Sequence, residues 1–286
     1  MSPLETEMTR LLEARPDADD IQCAVSVLRF GAGPDGTRHT VAVELPLSEL
    51  RLKEEQGRYR GRVQILTRIR TADSGFQRFL TEDLPVETGS GLGYVGRPLV
   101  WTASIPLPPG RYSVDTVVRE VGTERASVRK SVIDALGAPD GLWISSVVLL
   151  QPKGSFFTRD TSQGDPFVYQ GAPLMPRLNT TVALGVDDGV RFFVVLYPVS
   201  RRREPVTLHA ELHREDVMVG EVPIALPAPE PSGEIRYIGF IPTKTFREAT
   251  YRLRLVAHQG DAVAAAETTF VVSPSERVPI RALKGH

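Results

Sequence analysis

Cysteine is nearly absent from this chain. Its 286 residues include one, Cys23, so no disulfide can form within it. Long apolar runs are missing too, and no stretch approaches the ~20 residues that a membrane-spanning helix needs. Neither sign of charge dominates: 34 basic and 35 acidic residues leave a formal net charge of −1. That balance offers no overall attraction to nucleic acid or to an anionic membrane, so neither nucleic-acid binding nor membrane insertion is expected. The chain also lacks a nucleophile elbow, a paired Cys-x-x-Cys and a Walker loop, which points away from an enzyme. The first twenty residues hold neither a basic nor an apolar leader segment. Read as complete, the chain is cytoplasmic.

What is present speaks for short strands. Hydrophobic residues make up 41% and charged residues 24%, the composition of a globular protein. The 24 glycines and 23 prolines cluster between apolar runs, where they punctuate strands. Two segments share one pattern. Tyr112 opens an alternating run to Val118, followed by a turn at Gly122 and a second strand from Val128 to Ile133. Tyr251 opens another to Ala257, followed by a turn at Gly260-Asp261 and a strand from Thr268 to Val272. Each reads as the last hairpin of an antiparallel sandwich, and the repeat predicts two such domains in tandem. In that setting both tyrosines are expected to bury their rings and bond their hydroxyls to nearby backbone.

The fold class expected is all-β: two tandem immunoglobulin-like or fibronectin-like antiparallel β-sandwiches with a short N-terminal helix. Ser2, Pro3 and Glu5 form a helix start with a capping box, Leu4, Met8, Leu11 and Leu12 share a face, and Pro16 ends the run. Residues 1–20 are the helix and lead-in, 21–152 the first sandwich, 153–273 the second, and 274–286 a flexible tail. Val41, Val43, Leu45 and Leu47 alternate with more polar neighbours, as do Val63, Ile65, Thr67 and Ile69 with Arg62, Gln64, Arg68 and Arg70. Such alternation predicts sheets with one face on a core and one in water. Cys23 falls in an apolar run and is expected to be a small buried hydrophobe.

Several motifs resemble chemistry without its context. Gly91 to Gly96 matches a dinucleotide fingerprint, but the residues that follow read as a strand and not as the helix that pyrophosphate binding requires. Asp160-Thr161-Ser162-Gln163-Gly164 resembles a metal-dependent adhesion motif without its last serine. His209, Glu211 and His213 alternate with Leu208, Ala210 and Leu212 and so share the outer face of one strand. At about 3.4 Å per residue the two histidines stand roughly 13 Å apart and cannot share a metal ion. No metal and no cofactor is expected. The candidate contact residues lie on loops: Leu92, Tyr94 and Arg97 in the glycine-rich segment Val86 to Pro98, Phe156 and Phe157 in Gln151 to Asp165, and Arg201, Arg202 and Arg203 at a basic loop tip. Exposed strand edges are a further place for binding.

The order of Val43-Glu44-Leu45-Pro46-Leu47-Ser48, Tyr59 to Arg70, Leu107-Pro108-Pro109-Gly110-Arg111-Tyr112 and Trp143-Ile144-Ser145-Ser146-Val147-Val148-Leu149 resembles the region C-terminal to the A domain in bacterial von Willebrand factor A-related proteins, common in Acidobacteria. The resemblance covers roughly residues 20 to 272 and rests on hydrophobic and turn patterns. It implies β-sandwich modules on exported, envelope-associated proteins, hence an extracytoplasmic location if the chain is part of such a protein. No catalytic residue and no metal site comes with it, because the family's metal site lies in the A domain. The expected function is a non-enzymatic structural or protein-interaction module whose partner is another protein or an A domain. The alternatives are a carbohydrate- or polymer-binding module, which would need Trp101 or Trp143 exposed on a flat face, and a metal-dependent hydrolase accessory using His209, Glu211 and His213.

Overall fold

The computed structural model describes residues 2–33, 36–71, 75–89, 97–137, 141–152, 166–199, 201–202 and 204–274. Helix α1 (Pro3–Ala14) starts as its sequence dictates. The Ser2 hydroxyl accepts from the Glu5 amide at 3.1 Å, and the Glu5 carboxylate accepts from the Ser2 amide at 2.6 Å. Met8 and Leu12 are its buried residues. No helix among the described residues is long and apolar enough to cross a membrane.

The N-terminal half carries β1 (Ala24–Gly33), β2 (Gly36–Pro46), β3 (Lys53–Glu55), β4 (Arg58–Thr71), β5 (Gln77–Thr88), β6 (Pro98–Leu107), β7 (Gly110–Glu120) and β8 (Ala126–Ala135). They form a three-stranded sheet β1-β2-β6 facing a sheet β5-β4-β7-β8, with the short β3 also on β4. Val41, Val43 and Leu45 of β2, Trp101 of β6, and Val63, Ile65 and Ile69 of β4 meet in the core between them. Cys23 is half-buried against this core. On the far side of β4-β7-β8, Leu66, Val117 and Val128 take the apolar stripe of α1. The lead-in after the helix is tied to β8 by backbone bonds between Asp20 and Ala126 and between Ala18 and Val128, and by one hydroxyl. Ser127 Oγ accepts from the Ile21 amide at 2.8 Å and donates to the Ile21 carbonyl at 2.7 Å.

The C-terminal half carries β9 (Trp143–Ile144), β10 (Val148–Leu150), β11 (Val168–Tyr169), β12 (Ala172–Pro173), β13 (Thr181–Leu184), β14 (Gly189–Tyr197), β15 (Thr207–Arg214), β16 (Val217–Ile224), β17 (Ile235–Pro242), β18 (Ala249–Gln259) and β19 (Ala262–Pro274). One sheet places β9 and β10 on β14, with β17 on its other side; the second runs β13-β19-β18-β15-β16. β13 and β19 pair in parallel, while the other pairs are antiparallel. Phe192, Val194 and Leu196 meet Leu253, Leu255 and Phe270 between the sheets. The chain is thus all-β, built of sandwiches behind one short helix. Residues Trp143 to Leu150 form two short strands, and both hydrogen-bond to β14.

The repeated hairpins share their tyrosine geometry. Tyr112 donates its hydroxyl to the Pro108 carbonyl at 2.9 Å, and the Tyr251 hydroxyl accepts from the Arg247 amide at 3.0 Å. Each bond reaches four residues upstream, and both tyrosines are buried. Losing one such bond costs about 0.5–1.5 kcal/mol, and more when a donor is stranded. Tyr251→Phe orphans an N–H, whereas Tyr112→Phe orphans a carbonyl that tolerates underuse better. We expect both variants to lose stability in urea unfolding, with Tyr251→Phe losing more; equal or no losses would contradict this account.

The alternating face of β2 is not in water. Ala42, with Leu28 and Phe30 of β1, packs on Val148, Leu150, Phe193 and Val195 of the C-terminal half, and Phe167 fills the centre. The rings of Phe30, Phe167 and Phe193 stand 5.3–6.3 Å apart. Polar groups close the seam. Glu44, buried on β2, accepts from the amides of Leu178 and Asn179, the latter at 3.0 Å. Arg29 and Ser146 exchange two bonds of 2.9 Å, and the Tyr197 hydroxyl accepts from the Gly31 amide at 2.7 Å. β2 and β14 are therefore buried on both faces, which is why β14 reads as an unbroken apolar run from Phe192 to Tyr197.

Candidate functional site

A cleft into the apolar interior lies at one side of the C-terminal sandwich, where β16 ends one sheet and β17 ends the other. The cleft between these edges has a volume of about 450 Å3, within the ~300–1,000 Å3 common for ligand pockets. Ala210 and Leu212 of β15 and Gly220, Val222 and Ile224 of β16 form one wall. Their positions in register, Leu208↔Ile224, Ala210↔Val222 and Leu212↔Gly220, put them on one face. Tyr237, Gly239 and Ile241 of β17 form the other wall, with Phe192 and Leu253 at the bottom.

Two glycines on facing strands shape it in opposite ways. A Cβ on Gly239 would stand 2.0 Å from Phe192 Cζ, so only glycine lets the buried Phe192 ring lie across β17. A Cβ on Gly220 would meet nothing within 4 Å. The space above Gly220 is the cleft itself. The rim is apolar and exposed: Val222 keeps 60% of its surface in solvent, and Val219 and Phe240 are exposed as well, with exposed Val217 and Met218 next to them in β16. Isolated exposed apolar residues are ordinary, but a contiguous group around a hollow marks a binding surface.

Charge enters at one end only. Among the described lining residues, Arg214 and Arg247 are the charged ones. Arg214 closes β15 opposite Tyr251, and Arg247 follows the 3-10 turn that ends β17. Among the described residues neither guanidinium has an ion-pair partner. Glu215 and Glu248 adjoin them in sequence but do not line the cleft.

The outer face of the same sheet holds the histidine cluster. His213 Nε2 lies 3.2 Å from Glu211 Oε2, Arg254 donates to that oxygen at 3.0 Å, and His209 faces Glu221 at 3.5 Å. The bond with His213, and then that with Arg254, hold the Glu211 carboxyl below its usual range. The carboxylate is taken up by His213 and Arg254, and among the described residues no three His, Cys, Asp or Glu side chains group to hold a metal ion. Trp101 and Trp143 are both buried; Trp143 stacks on Tyr197 at 4.6 Å, with the Arg29 guanidinium 5.1 Å from its ring. A second hollow, of about 560 Å3, includes Asp187 and Asp188. Both carboxylates are already paired, with Arg177 at 3.1 Å and Arg191 at 2.7 Å.

The residues expected from sequence to make contacts do not converge. Arg97 is exposed beside β6, with its carbonyl accepting from Leu47 at 3.0 Å. Arg201 is exposed, and Arg202 is bound to Asp261 and to the Gln259 carbonyl, at the turn between β18 and β19. That turn lies at the opposite end of β18 from Tyr251, and so away from Arg214 and Arg247. Leu92, Tyr94, Phe156, Phe157 and Arg203 lie outside the described residues, as does the tail from 275 to 286. Sequence reasoning missed the cleft residues. One signal was available: Val217 to Ile224 is apolar on both strand faces and carries a single charge, Glu221. No family model matches the chain, and no curated protein matches it.

Proposed function

We propose that this chain is a non-enzymatic protein-interaction module, a pair of immunoglobulin-like sandwiches of the kind its resemblance to von Willebrand factor A-related proteins implies. Its partner is received in the cleft between β16 and β17. The supporting observation is the open apolar interior at two edges that no strand pairs among the described residues, lined in part by exposed Val219, Val222 and Phe240. Unpaired edges are surfaces that proteins ordinarily shield unless they are used for pairing. The charged groups at the cleft are arginines, which stay protonated at neutral pH and so grip a ligand without shuttling protons.

The test is crosslinking in the cell that makes the protein. A photoreactive phenylalanine analogue in place of Val222 should give a protein adduct of discrete mass. The same analogue in place of Val132, exposed on β8 of the other sandwich, should not. Adding Gly220→Leu should remove the adduct by filling the cleft. No adduct at 222, or the same adduct at both positions, would end this reading.

A further inference from the structure

Resting on that reading, we infer that the partner enters as an extended strand that adds to the free edge of β17, with apolar side chains pointing into the cleft and an acidic group at its Arg214–Arg247 end. The sheets of the C-terminal sandwich differ in width. β13-β19-β18-β15-β16 is five strands across, while the facing sheet counts β9 or β10, β14 and β17. The cleft lies between β15–β16 and β17, so the narrower sheet stops before the wider one does.

Strands in a sheet stand about 4.8 Å apart, and stacked sheets about 10 Å apart. A strand beside β17 would therefore lie over β15 and β16 and bury the inner face now open at Ala210, Leu212 and Val222. A strand beside β16 would extend the wider sheet outward and leave the cleft as open as before. The vacancy is therefore beside β17.

The pattern of the incoming strand follows. Successive side chains point to opposite faces, so every second residue enters the cleft and must be apolar. The roomiest position is above Gly220, where a Cβ meets nothing within 4 Å. β17 runs from Ile235 to Pro242, toward the two arginines. Antiparallel pairing is the more stable mode, and in it the incoming strand starts beside Pro242. Its first residue then sits between Arg214 and Arg247, two cations without ion-pair partners among the described residues. An aspartate or glutamate at the N-terminal end completes the match.

The probe is the acetylated, amidated octapeptide Asp-Thr-Val-Thr-Leu-Thr-Val-Thr, titrated against the full chain by calorimetry. A copy with Lys in place of Asp, and dodecanoate as an amphiphile of similar charge, are titrated alongside. Saturable binding is expected, about ten-fold weaker for the Lys peptide, with amide exchange slowed along β17 and unchanged along β16. Gly220→Leu should abolish binding of the Asp peptide. Arg214→Gln with Arg247→Gln should erase the preference for Asp while leaving binding itself. The same octapeptide joined by a Gly/Ser linker behind His286, at the high local concentration tethering gives, should raise the melting temperature of the chain.

Four results would overturn the inference: no saturable binding together with no thermal gain from the tethered copy; binding indifferent to Gly220→Leu; protection along β16; or dodecanoate filling the cleft while the peptide neither binds nor displaces it. If the peptide fails while Val222 still crosslinks a protein, the interaction module stands and the strand geometry falls. If both fail, both fall.

Discussion

Phe193→Ala is expected to cost about 3–5 kcal/mol, the range for removing a buried phenylalanine, and to split one unfolding transition into two. The ring is fully buried between the sheet of β1-β2-β6 and that of β14, 6.2 Å from Phe167 and 6.3 Å from Phe30. It belongs to neither sandwich core, because Val190, Phe192, Val194 and Leu196 fill the C-terminal core and Val41, Val43 and Leu45 the N-terminal one. Its loss therefore weakens the joint between halves that each keep their own core. In the parent chain the apolar seam and its polar closures tie the two together, so urea should unfold both at one midpoint. In the variant, Trp101 in the N-terminal core and Trp143 near β14 should report separate midpoints, read by placing one tryptophan at a time. A loss under about 1 kcal/mol with one shared midpoint would show that the halves are not joined through this ring.

Gly239→Val should be nearly as damaging, for the opposite reason. A Cβ at this position would sit 2.0 Å from the Phe192 ring, and both lie in the interior of the C-terminal sandwich. Overpacking costs roughly 1–3 kcal/mol and sometimes more; here the ring has to leave its place, so the upper end is expected. The displaced ring can move into the cleft it lines. We expect a large fall in the urea midpoint together with loss of peptide binding. Gly220→Val on the facing strand meets nothing within 4 Å and should leave stability within about 0.5 kcal/mol while narrowing the same cleft. Comparable destabilisation by both would mean that the two walls are not as different as their geometry says.

Local sequence carried much of the fold. The capping box of Ser2 and Glu5, the alternation in β4 and the two tyrosine-led hairpins are all patterns within a dozen residues, and each is set by backbone geometry alone. What could not be read were pairings over long distances. Glu44 sits among the polar alternates of β2 and looks like a water-facing residue. Its partners are amides 134 and 135 residues away, and nothing near it in sequence marks them. The run from Phe192 to Tyr197 did hold a clue, since a strand with apolar residues at every position is buried on both faces. The cleft stayed hidden because sheet order decides it. Val217 to Ile224 is legible as a strand, but whether its inner face meets a neighbour depends on how many strands lie opposite.

The seam also sets a clock for synthesis. β1 and β2 leave the ribosome before their cover does, since the outer face of their sheet packs on β10, Phe167 and β14; the Gly31 amide waits for a hydroxyl 166 residues further along the chain. At about 5–20 residues per second, that interval lasts roughly ten to thirty seconds. Once β8 is made, Leu28, Phe30 and Ala42 present a greasy surface on a sandwich whose own core is already complete. The nascent N-terminal sandwich is thus stickiest until the C-terminal one follows it, and the second works as the first one's chaperone.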